Sequence, residues 1–391
     1  MEKCRQAMKK ICFITTVSGT LDAFVLETAK YIHEHTDWDI TFVSDYDEGF
    51  AGRLPGYIRF HPIAMKRGVS LSGVKAMLEM KRFFAREKYD LIQYSTPNAS
   101  LYASMAGKLA GVPVRLYCQW GMVFVGFSGL KREIFKGIEK IVCRLSTWIE
   151  PDSPSNLRFA HAEGLYPETV GSVIWKGSAC GVNLNKFDVS RKEGYRRSIR
   201  ARYGIPEDGF VYGYAGRITR DKGINELLAA GKAILEDTPG AYLLLVGEEE
   251  VDEGVDQQIY RWAKTHERVI FVGHTCVVEQ YMSAMDCYVL PSYREGFGMS
   301  VVEAEAMAVP VIVTNVPGPV DGMVENVTGF VVEKRDVPGL EAAMRKMMAS
   351  DLGYYGNNGL ELVRNGFEQK RLLGYILEDR KRLMGVGEEE R

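Results

Sequence analysis

The chain has 391 residues, a formal net charge of −2 and a hydrophobic fraction of 46%; it is too long for one ordinary core and lacks the basic surplus of a nucleic-acid binder, so two soluble globular domains of roughly 180 residues each are expected. Its seven cysteines form no Cys-x-x-Cys pair, which indicates neither a zinc site nor a disulfide framework. Residues 1–10 are charged, without an apolar stretch of signal-peptide length, and no segment carries the ~20 apolar residues of a spanning helix, so the expected location is the cytoplasm.

In chain order, residues 11–16 read as a strand, 21–33 as an amphipathic helix and 40–43 as a second strand; 91–94, 112–117 and 148–149 continue the strand series. Asp37-Trp38-Asp39 sets out two carboxylates that would suit Mg²⁺ or Mn²⁺. It lies at the entry to the second strand, the wrong end for a strand-end ligand site, and reads as a polar turn. Residues 1–190 hold 24 Lys and Arg against 19 Asp and Glu, a net +5, which leaves −7 for the remainder (25 against 32). The basic residues include Lys66, Arg67, Lys75, Lys81, Arg82, Arg86 and Lys88. Lys131, Arg132, Lys136, Lys140 and Arg144 then share a helix whose other side carries Leu130, Ile134, Phe135, Ile138, Ile141 and Val142. That helix reads as a core helix with a solvated basic face, the alternative being a surface that rests on the anionic inner face of the cell membrane. After a charged connection near 188–209 the alternation restarts, with a strand over 210–215, a helix over 224–235, strands near 243, 269, 287, 311 and 329, and a last helix over 369–383. This order describes two doubly wound α/β domains, in which ligands bind beyond the C-terminal strand ends.

Two phrases in the second half belong together. Gly216-Arg217-Ile218-Thr219-Arg220-Asp221-Lys222-Gly223 follows the 210–215 strand, so Arg217 and Lys222 sit on a strand-to-helix loop, where a guanidinium and an ammonium can neutralise a diphosphate. Glu295-Gly296-Phe297-Gly298-Met299-Ser300-Val301-Val302-Glu303 spans a turn over 291–297 and a helix over 298–308 whose Met299, Val302, Ala306 and Met307 face the core. The turn delivers a helix N-terminus, whose unpaired N–H groups and dipole favour a phosphate, and Gly296 and Gly298 let the backbone approach it. Glu295 and Glu303 would be repelled by that phosphate, so their natural partners are neutral hydroxyls of a sugar or ribose. Alone, either phrase is an ordinary α/β turn. In this order and on these elements they describe a socket for a nucleotide-sugar.

At these residues the chain resembles the retaining glycosyltransferases of family 4, which have the GT-B fold. The family's Gly-Arg-x-x-x-x-Lys-Gly and Glu-x7-Glu motifs match in full, and Leu243-Leu244-Leu245-Val246-Gly247, Val269-Ile270-Phe271-Val272-Gly273-His274 and Gly181-Val182-Asn183-Leu184-Asn185-Lys186-Phe187 are similar to its other phrases. Within the family the chain looks like the bacterial capsular and exopolysaccharide transferases. The resemblance implies an α/β fold of two doubly wound Rossmann-like domains facing across a cleft: 1–188 for the acceptor, completed by a C-terminal helix over 368–391, and 189–367 for the nucleotide-sugar. It implies catalytic roles for Arg217, Lys222 and Glu295, with Arg217 and Lys222 holding the departing diphosphate and Glu295 the donor sugar. Gly216 and the backbone of Gly296, Phe297 and Gly298 line the diphosphate, Glu303 takes the ribose hydroxyls, and Gly273, His274 and Thr275 receive the base. The implied reaction moves a sugar from a nucleoside diphosphate sugar to a saccharide or lipid-linked saccharide. Uridine is the first choice of base, guanosine the second, and an N-acetylhexosamine a candidate sugar. No well-placed carboxylate nucleophile is evident, and the resemblance implies a front-face return in which the leaving phosphate takes the acceptor proton. No metal or other cofactor is expected, because Arg217 and Lys222 supply the charge.

Two phrases in the first half depart from the family. A glycine pair is usual after the first strand, where this chain has Ser18-Gly19-Thr20, and a His-Gly pair is usual where it has Trp120-Gly121. Ser18 either donates a hydrogen bond to a ligand or closes a tight turn, and Trp120 either stacks on a sugar ring or packs at the cleft wall. A dinucleotide oxidoreductase would need Gly-x-Gly-x-x-Gly at its first turn, and neither domain has it there. The remaining alternatives are a sugar-nucleotide epimerase or phosphorylase of the same fold, and a non-catalytic subunit of a polysaccharide assembly complex.

Overall fold

The computed structural model describes residues 8–65, 71–251 and 253–386, so Lys66, Arg67 and most of the charged N-terminal decapeptide lie outside the described residues. The chain forms two compact units, one of residues up to Cys180 together with those from Lys370 onward, the other spanning Gly181–Gln369.

The first unit is built on six parallel strands, β1 (Lys10–Ile14), β2 (Asp39–Val43), β3 (Ile58–Phe60), β4 (Leu91–Tyr94), β5 (Val114–Gln119) and β6 (Trp148–Pro151), in the order β3-β2-β1-β4-β5-β6. Helices cover both faces, so the inner strands carry continuous apolar runs, and Ile11 to Ile14 are at most 1% exposed. The three-residue edge strand β3 escapes sequence reading because only Ile58 is buried while Arg59 is exposed. The helix expected over 21–33 is two segments, Ser18–Phe24 and Leu26–His35. Val25 turns to φ −119° between them, although its N–H still bonds Leu21 O and its carbonyl Ala29 N.

The C-terminal helix Gln369–Leu383 is part of this unit and is tied to it by a buried cation. Arg380 is 1% exposed; its Nη2 meets Glu150 Oε1 at 3.0 Å and its Nε meets Gln93 Oε1 at 3.1 Å. Removing one partner of such a pair typically costs about 3–5 kcal/mol, because the other charge is left buried.

The helix Gly129–Leu145 corrects the reading of a core helix. Val142 and Cys143 near its end are buried, Phe135 and Ile138 are half-buried, and Leu130, Ile134 and Ile141 are 78%, 54% and 49% exposed. The inward side is held by polar groups instead: Glu139 accepts from Tyr117 Oη at 2.8 Å and Gln119 Nε2 at 2.6 Å, while Arg132 and Lys136 both pair with Glu163.

In the second unit β7 (Phe210–Ala215), β8 (Ala241–Val246), β9 (Val269–Gly273), β10 (Cys287–Leu290), β11 (Val311–Thr314) and β12 (Gly329–Val332) form a parallel sheet in the order β12-β11-β10-β7-β8-β9. Residues 181–187 belong to this unit, since Val182 N–H bonds Phe367 O at 2.8 Å and Phe187 lies in its core. The charged stretch expected to connect the halves is a helix, Lys192–Tyr203, with Arg200 only 3% exposed. Its guanidinium pairs with Asp286 at 2.6 Å and donates to the carbonyls of Gly209 and Ala284, which offsets part of the cost of burying it.

The helix expected over 298–308 is Met299–Ala306. Gly298 at its N-cap has φ +82°, and Ala308, at φ +52°, carries the chain away from it while its carbonyl accepts from Lys192 Nζ at 2.7 Å. This helix is buried nearly all round rather than along one face, and it encloses Glu305, which is 0% exposed. Neither carboxyl oxygen of Glu305 meets a hydrogen-bond partner among the described residues. Burial raises its pKa well above the carboxylate range, and the neighbouring Thr328 hydroxyl offsets only part of this.

A native carboxyl whose pKa lies above its unfolded value binds more protons than the unfolded chain, so stability falls as pH rises from the unfolded carboxylate range near ~4.3. Glu305→Met keeps the length, removes the polar group and should stabilise the protein by about 1–3 kcal/mol. The gain in Tm should be larger at pH 8 than at pH 6; calorimetric melting that shows no gain, or a gain independent of pH, contradicts a neutral buried carboxyl.

Candidate functional site

In the second unit the strand order reverses where β7 lies between β10 and β8, so the loops leaving these strands diverge and open a crevice at their C-terminal ends. A pocket of about 210 Å³ lies there, with Gly216 and Gly247 from the ends of β7 and β8, His274 and Thr275 after β9, and Ser300 and Glu303 from the helix Met299–Ala306.

Both sequence phrases reach this edge, and they are stitched together. Tyr293 N–H donates to Asp221 O at 2.9 Å, and Arg294 pairs with the Asp221 carboxylate at 2.8 Å. Gly223, at φ +74°, lies so close to the second loop that a Cβ there would sit 2.0 Å from Pro291 O. The consequence is a contact between motif charges: Lys222 Nζ meets Glu295 Oε1 at 2.6 Å, and Ser292 Oγ donates to the same oxygen at 2.7 Å. These two side chains are only 20% and 10% exposed, so their attraction is screened far less than that of a surface pair.

Arg217 does not share that contact. It pairs with Glu250 at 2.7 Å, both side chains being about half-exposed. Glu250 is absent from the sequence-based site, although the signal was present as three consecutive glutamates, Glu248 to Glu250, directly after Gly247.

Glu303 stands in the pocket wall with its pKa pushed up to about 7, chiefly by burial, with Lys186 acting against the shift and Glu279 adding to it. Glu279, in the helix Val278–Ser283, is 5% exposed, and its Oε2 has no hydrogen-bond partner among the described residues, the Lys186 ammonium standing 3.9 Å away. Lys186 lies inside the Gly181–Phe187 phrase singled out in the sequence, but its proximity to Glu279 is visible only in space. Gly273 ends β9 at φ +78°, and Phe297 is 2% exposed in the core, so of the expected diphosphate-lining residues Phe297 can contribute only backbone. Gly296 and Gly298 flank it in the turn that leads to the helix.

In the first unit Ser18, Gly19 and Thr20 are not a loop. They form the first turn of the helix Ser18–Phe24, and Ser18 Oγ donates to Asp47 at 2.8 Å, which ties this turn to the loop after β2. A Cβ at Gly19 would meet nothing within 4 Å, so no close approach requires glycine there. Trp120 packs at 5.6 Å on Phe24, and Gly121, at φ +101°, turns the chain after β5. Asp39 opens β2 with Lys10 3.9 Å from its carboxylate, at the opposite end from the ligand edge.

Two units, each a parallel six-stranded sheet covered by helices, are the GT-B fold of glycosyltransferases. A sucrose-phosphate synthase from Thermosynechococcus elongatus superposes with a TM-score of 0.77 at 21% identity, over 96% of this chain and 99% of that one. HepE from Anabaena, solved with UDP and glucose, superposes with a TM-score of 0.77 at 19% identity, over 95% of this chain and 99% of its own. Residues 195–361 match the profile of the glycosyl transferases group 1, and residues 10–150 that of the glycosyl transferase 4-like domain. The capsular polysaccharide biosynthesis glycosyltransferase CapM of Staphylococcus aureus is 32% identical over 316 residues, 79% of this chain and 81% of the relative. An Escherichia coli UDP-Gal:alpha-D-GlcNAc-diphosphoundecaprenol alpha-1,3-galactosyltransferase is 23% identical over 77% of this chain and 78% of its own. The chain belongs to the group 1, family-4-like glycosyltransferases and is a glycosyltransferase.

The charges around Glu303 make a prediction that needs no ligand. Carbon-detected NMR should find its carboxyl titrating near pH 7; Glu279→Gln should lower that midpoint and Lys186→Met should raise it. An ordinary midpoint near ~4.3 that neither substitution moves would mean that the pocket wall is open to solvent.

Proposed function

We propose that the protein transfers a sugar, with retention, from a nucleoside diphosphate sugar to a saccharide or lipid-linked saccharide in bacterial capsule or exopolysaccharide synthesis. A UDP-sugar is the proposed donor, and UDP-N-acetylhexosamine a specific candidate. The observation that carries this reading is the Lys222–Glu295 contact of 2.6 Å, which joins a cation of one motif to a carboxylate of the other beside the pocket of Glu303. The relatives' roles in capsule and lipid-linked glycan assembly support the acceptor class.

In the proposed reaction Lys222 exchanges Glu295 for a phosphate oxygen, and Arg217 exchanges Glu250 for another. Glu295 is thereby released to accept from a donor-sugar hydroxyl. As the bond between the anomeric carbon and the diphosphate oxygen breaks, the two cations and the backbone N–H groups around Gly296 to Gly298 stabilise the charge that develops on the diphosphate. The acceptor oxygen bonds the anomeric carbon from the same face and passes its proton to the departing phosphate. No metal is invoked, since Arg217 and Lys222 supply the positive charge. Glu303 accepts from the ribose hydroxyls, and the backbone of Gly273, His274 and Thr275 borders the base.

Thermal-shift measurement against a panel of nucleotide-sugars, with free UDP and GDP, should reveal the donor as a raised melting point. With that donor, Lys222→Ala should lower turnover about 10²–10³-fold while leaving the fold intact. Near-normal turnover of the folded variant removes Lys222 from the chemistry.

Peripheral contact with an anionic membrane is the second element of the proposal, and it rests on the helix Gly129–Leu145. Leu130, Ile134 and Ile141 fall on one exposed face at helical spacing, with exposed Lys131 on one flank and Lys140 and Arg144 on the other. An apolar stripe between cations matches the boundary between acyl chains and anionic headgroups, each cation near the surface contributing about 1 kcal/mol. The intact protein should sediment with vesicles containing phosphatidylglycerol and not with pure phosphatidylcholine, and Leu130→Asp with Ile134→Asp should abolish this. Equal binding to both vesicle types, or binding that survives the double substitution, rules out this face.

A further inference from the structure

We infer that Glu250 is the release residue of the site: it competes with the nucleotide's phosphates for Arg217 and recaptures that guanidinium as the spent nucleoside diphosphate leaves. The inference rests on the reading of Arg217 as a diphosphate cation, and it gives a function to a carboxylate that neither sequence motif contains.

Glu250 lies on a segment that runs alongside the 216–223 loop. Gly216 N–H bonds Val246 O at 2.9 Å and Ile218 N–H bonds Glu248 O at 2.8 Å, so the pairing of β7 with β8 continues past both strand ends. Gly247 comes so close that a Cβ there would sit 1.9 Å from Gly216 O. Further on, Asn225 donates to Gly254 O at 3.0 Å and accepts from Asp256 N–H at 2.9 Å, which ties the far end of the segment to the helix Ile224–Asp237. Successive residues of an extended chain point opposite ways. Glu249 turns to the helix Gln257–Thr265, where Tyr260 and Lys264 hold it, and Glu250 turns to Arg217. The arginine's own backbone is fixed, since the buried Tyr214 donates to Arg217 O at 2.6 Å. Backbone pairing thus brings the two residues together, and their 2.7 Å contact opens by movement of the side chains alone.

A glutamine could hold the guanidinium in the same place without opposing an anion. A carboxylate beside a phosphate cation works against binding, and Glu248 and Glu253 add negative charge to the same segment. Glu295 is different, because once parted from Lys222 it accepts from a sugar hydroxyl in the proposed reaction. Glu250 gains no such partner there, so its attraction for Arg217 opposes the ligand. This pair is also the easier one to open: its side chains are 51% and 45% exposed, against 20% and 10% for Lys222 and Glu295, and water re-solvates both charges. A weak competitor of this kind suits the end of the reaction. Departure of the sugar leaves a terminal phosphate that can carry a second negative charge, which the cations hold more tightly than the donor. A carboxylate beside Arg217 shortens its stay.

Calorimetry, with ligand-observed NMR for weak complexes, measures whichever of UDP, GDP and ADP raises the melting point of the wild type, alongside the matching nucleoside. Glu250→Gln should tighten the diphosphate about 2–5-fold, the range for a half-exposed ion pair, and leave the nucleoside unchanged. Stopped-flow displacement should show the gain as slower dissociation. In an Arg217→Met background, where there is nothing to compete for, the same substitution should change neither affinity. Unchanged or weaker diphosphate binding by a folded Glu250→Gln protein overturns the inference, a loss meaning that Glu250 supports Arg217 rather than competing for it. So does an equal gain in the Arg217→Met background, which would make Glu250 a repelling charge with no claim on the arginine. Faster association at an unchanged dissociation rate removes the release role. If Arg217→Met alone leaves diphosphate affinity unchanged, or the wild type binds none of the three diphosphates, it is the reading of Arg217 that fails, and this inference falls with it.

Discussion

The constraint on which the candidate site depends is the close stitching of two loops at the strand reversal of the second sheet. Asp221 holds the second loop through its carbonyl and its carboxylate, and Gly223 admits Pro291 at a separation that no side chain allows. Once that seam is closed, Lys222 and Glu295 have little freedom to be anywhere but in contact. The site's geometry is therefore set by backbone packing, and the charges are placed by it. A site carried on rigid strand ends has its reorganisation cost met during folding, which is what electrostatic stabilisation of a developing charge requires.

The charges of the site are paired with one another. Lys222 has Glu295, Arg217 has Glu250 and Lys186 stands near Glu279, so each of these three cations has a carboxylate within 4 Å. A diphosphate entering the proposed site exchanges one set of ion pairs for another, and binding then reflects the difference between them rather than the full Coulomb attraction. The exception is acidic: Glu303 and Glu279 together exceed what Lys186 can neutralise, which fits the upward shift of Glu303. Hydroxyl donors meet this surplus without adding a negative charge.

The first unit spends its buried polar groups differently. Glu139, Gln119, Tyr117 and Tyr166 form a connected cluster beneath the helix Gly129–Leu145, and Arg380 joins Glu150 and Gln93 under the last helix. Satisfied polar groups share the inward side of the helix Gly129–Leu145 with Val142 and Cys143, and Leu130, Ile134 and Ile141 are turned outward. Gln119, next to Trp120, illustrates the cost of reading a motif position alone: the phrase drew attention to the indole, whereas the amide is the residue built into the interior.

The sequence by itself determined the alternation of strands and helices that builds two parallel sheets, and the placing of two charged phrases at strand-to-helix turns of the second. Parallel strands covered on both faces write uninterrupted apolar runs, which is why β4 and β7 were legible to the residue, and a strand–glycine turn–helix unit is local enough to be seen in a few consecutive letters. Short edge strands such as β3, and helices buried all round or inside out, lack the periodicity that such reading uses. Only the tertiary structure decided the partners. Arg217 and Glu250 are 33 residues apart, Lys222 and Glu295 73, and Arg380 and Glu150 230. No local pattern encodes those distances, because they follow from how the chain crosses between strands, and through-space electrostatics depends on separation in ångströms rather than in residues.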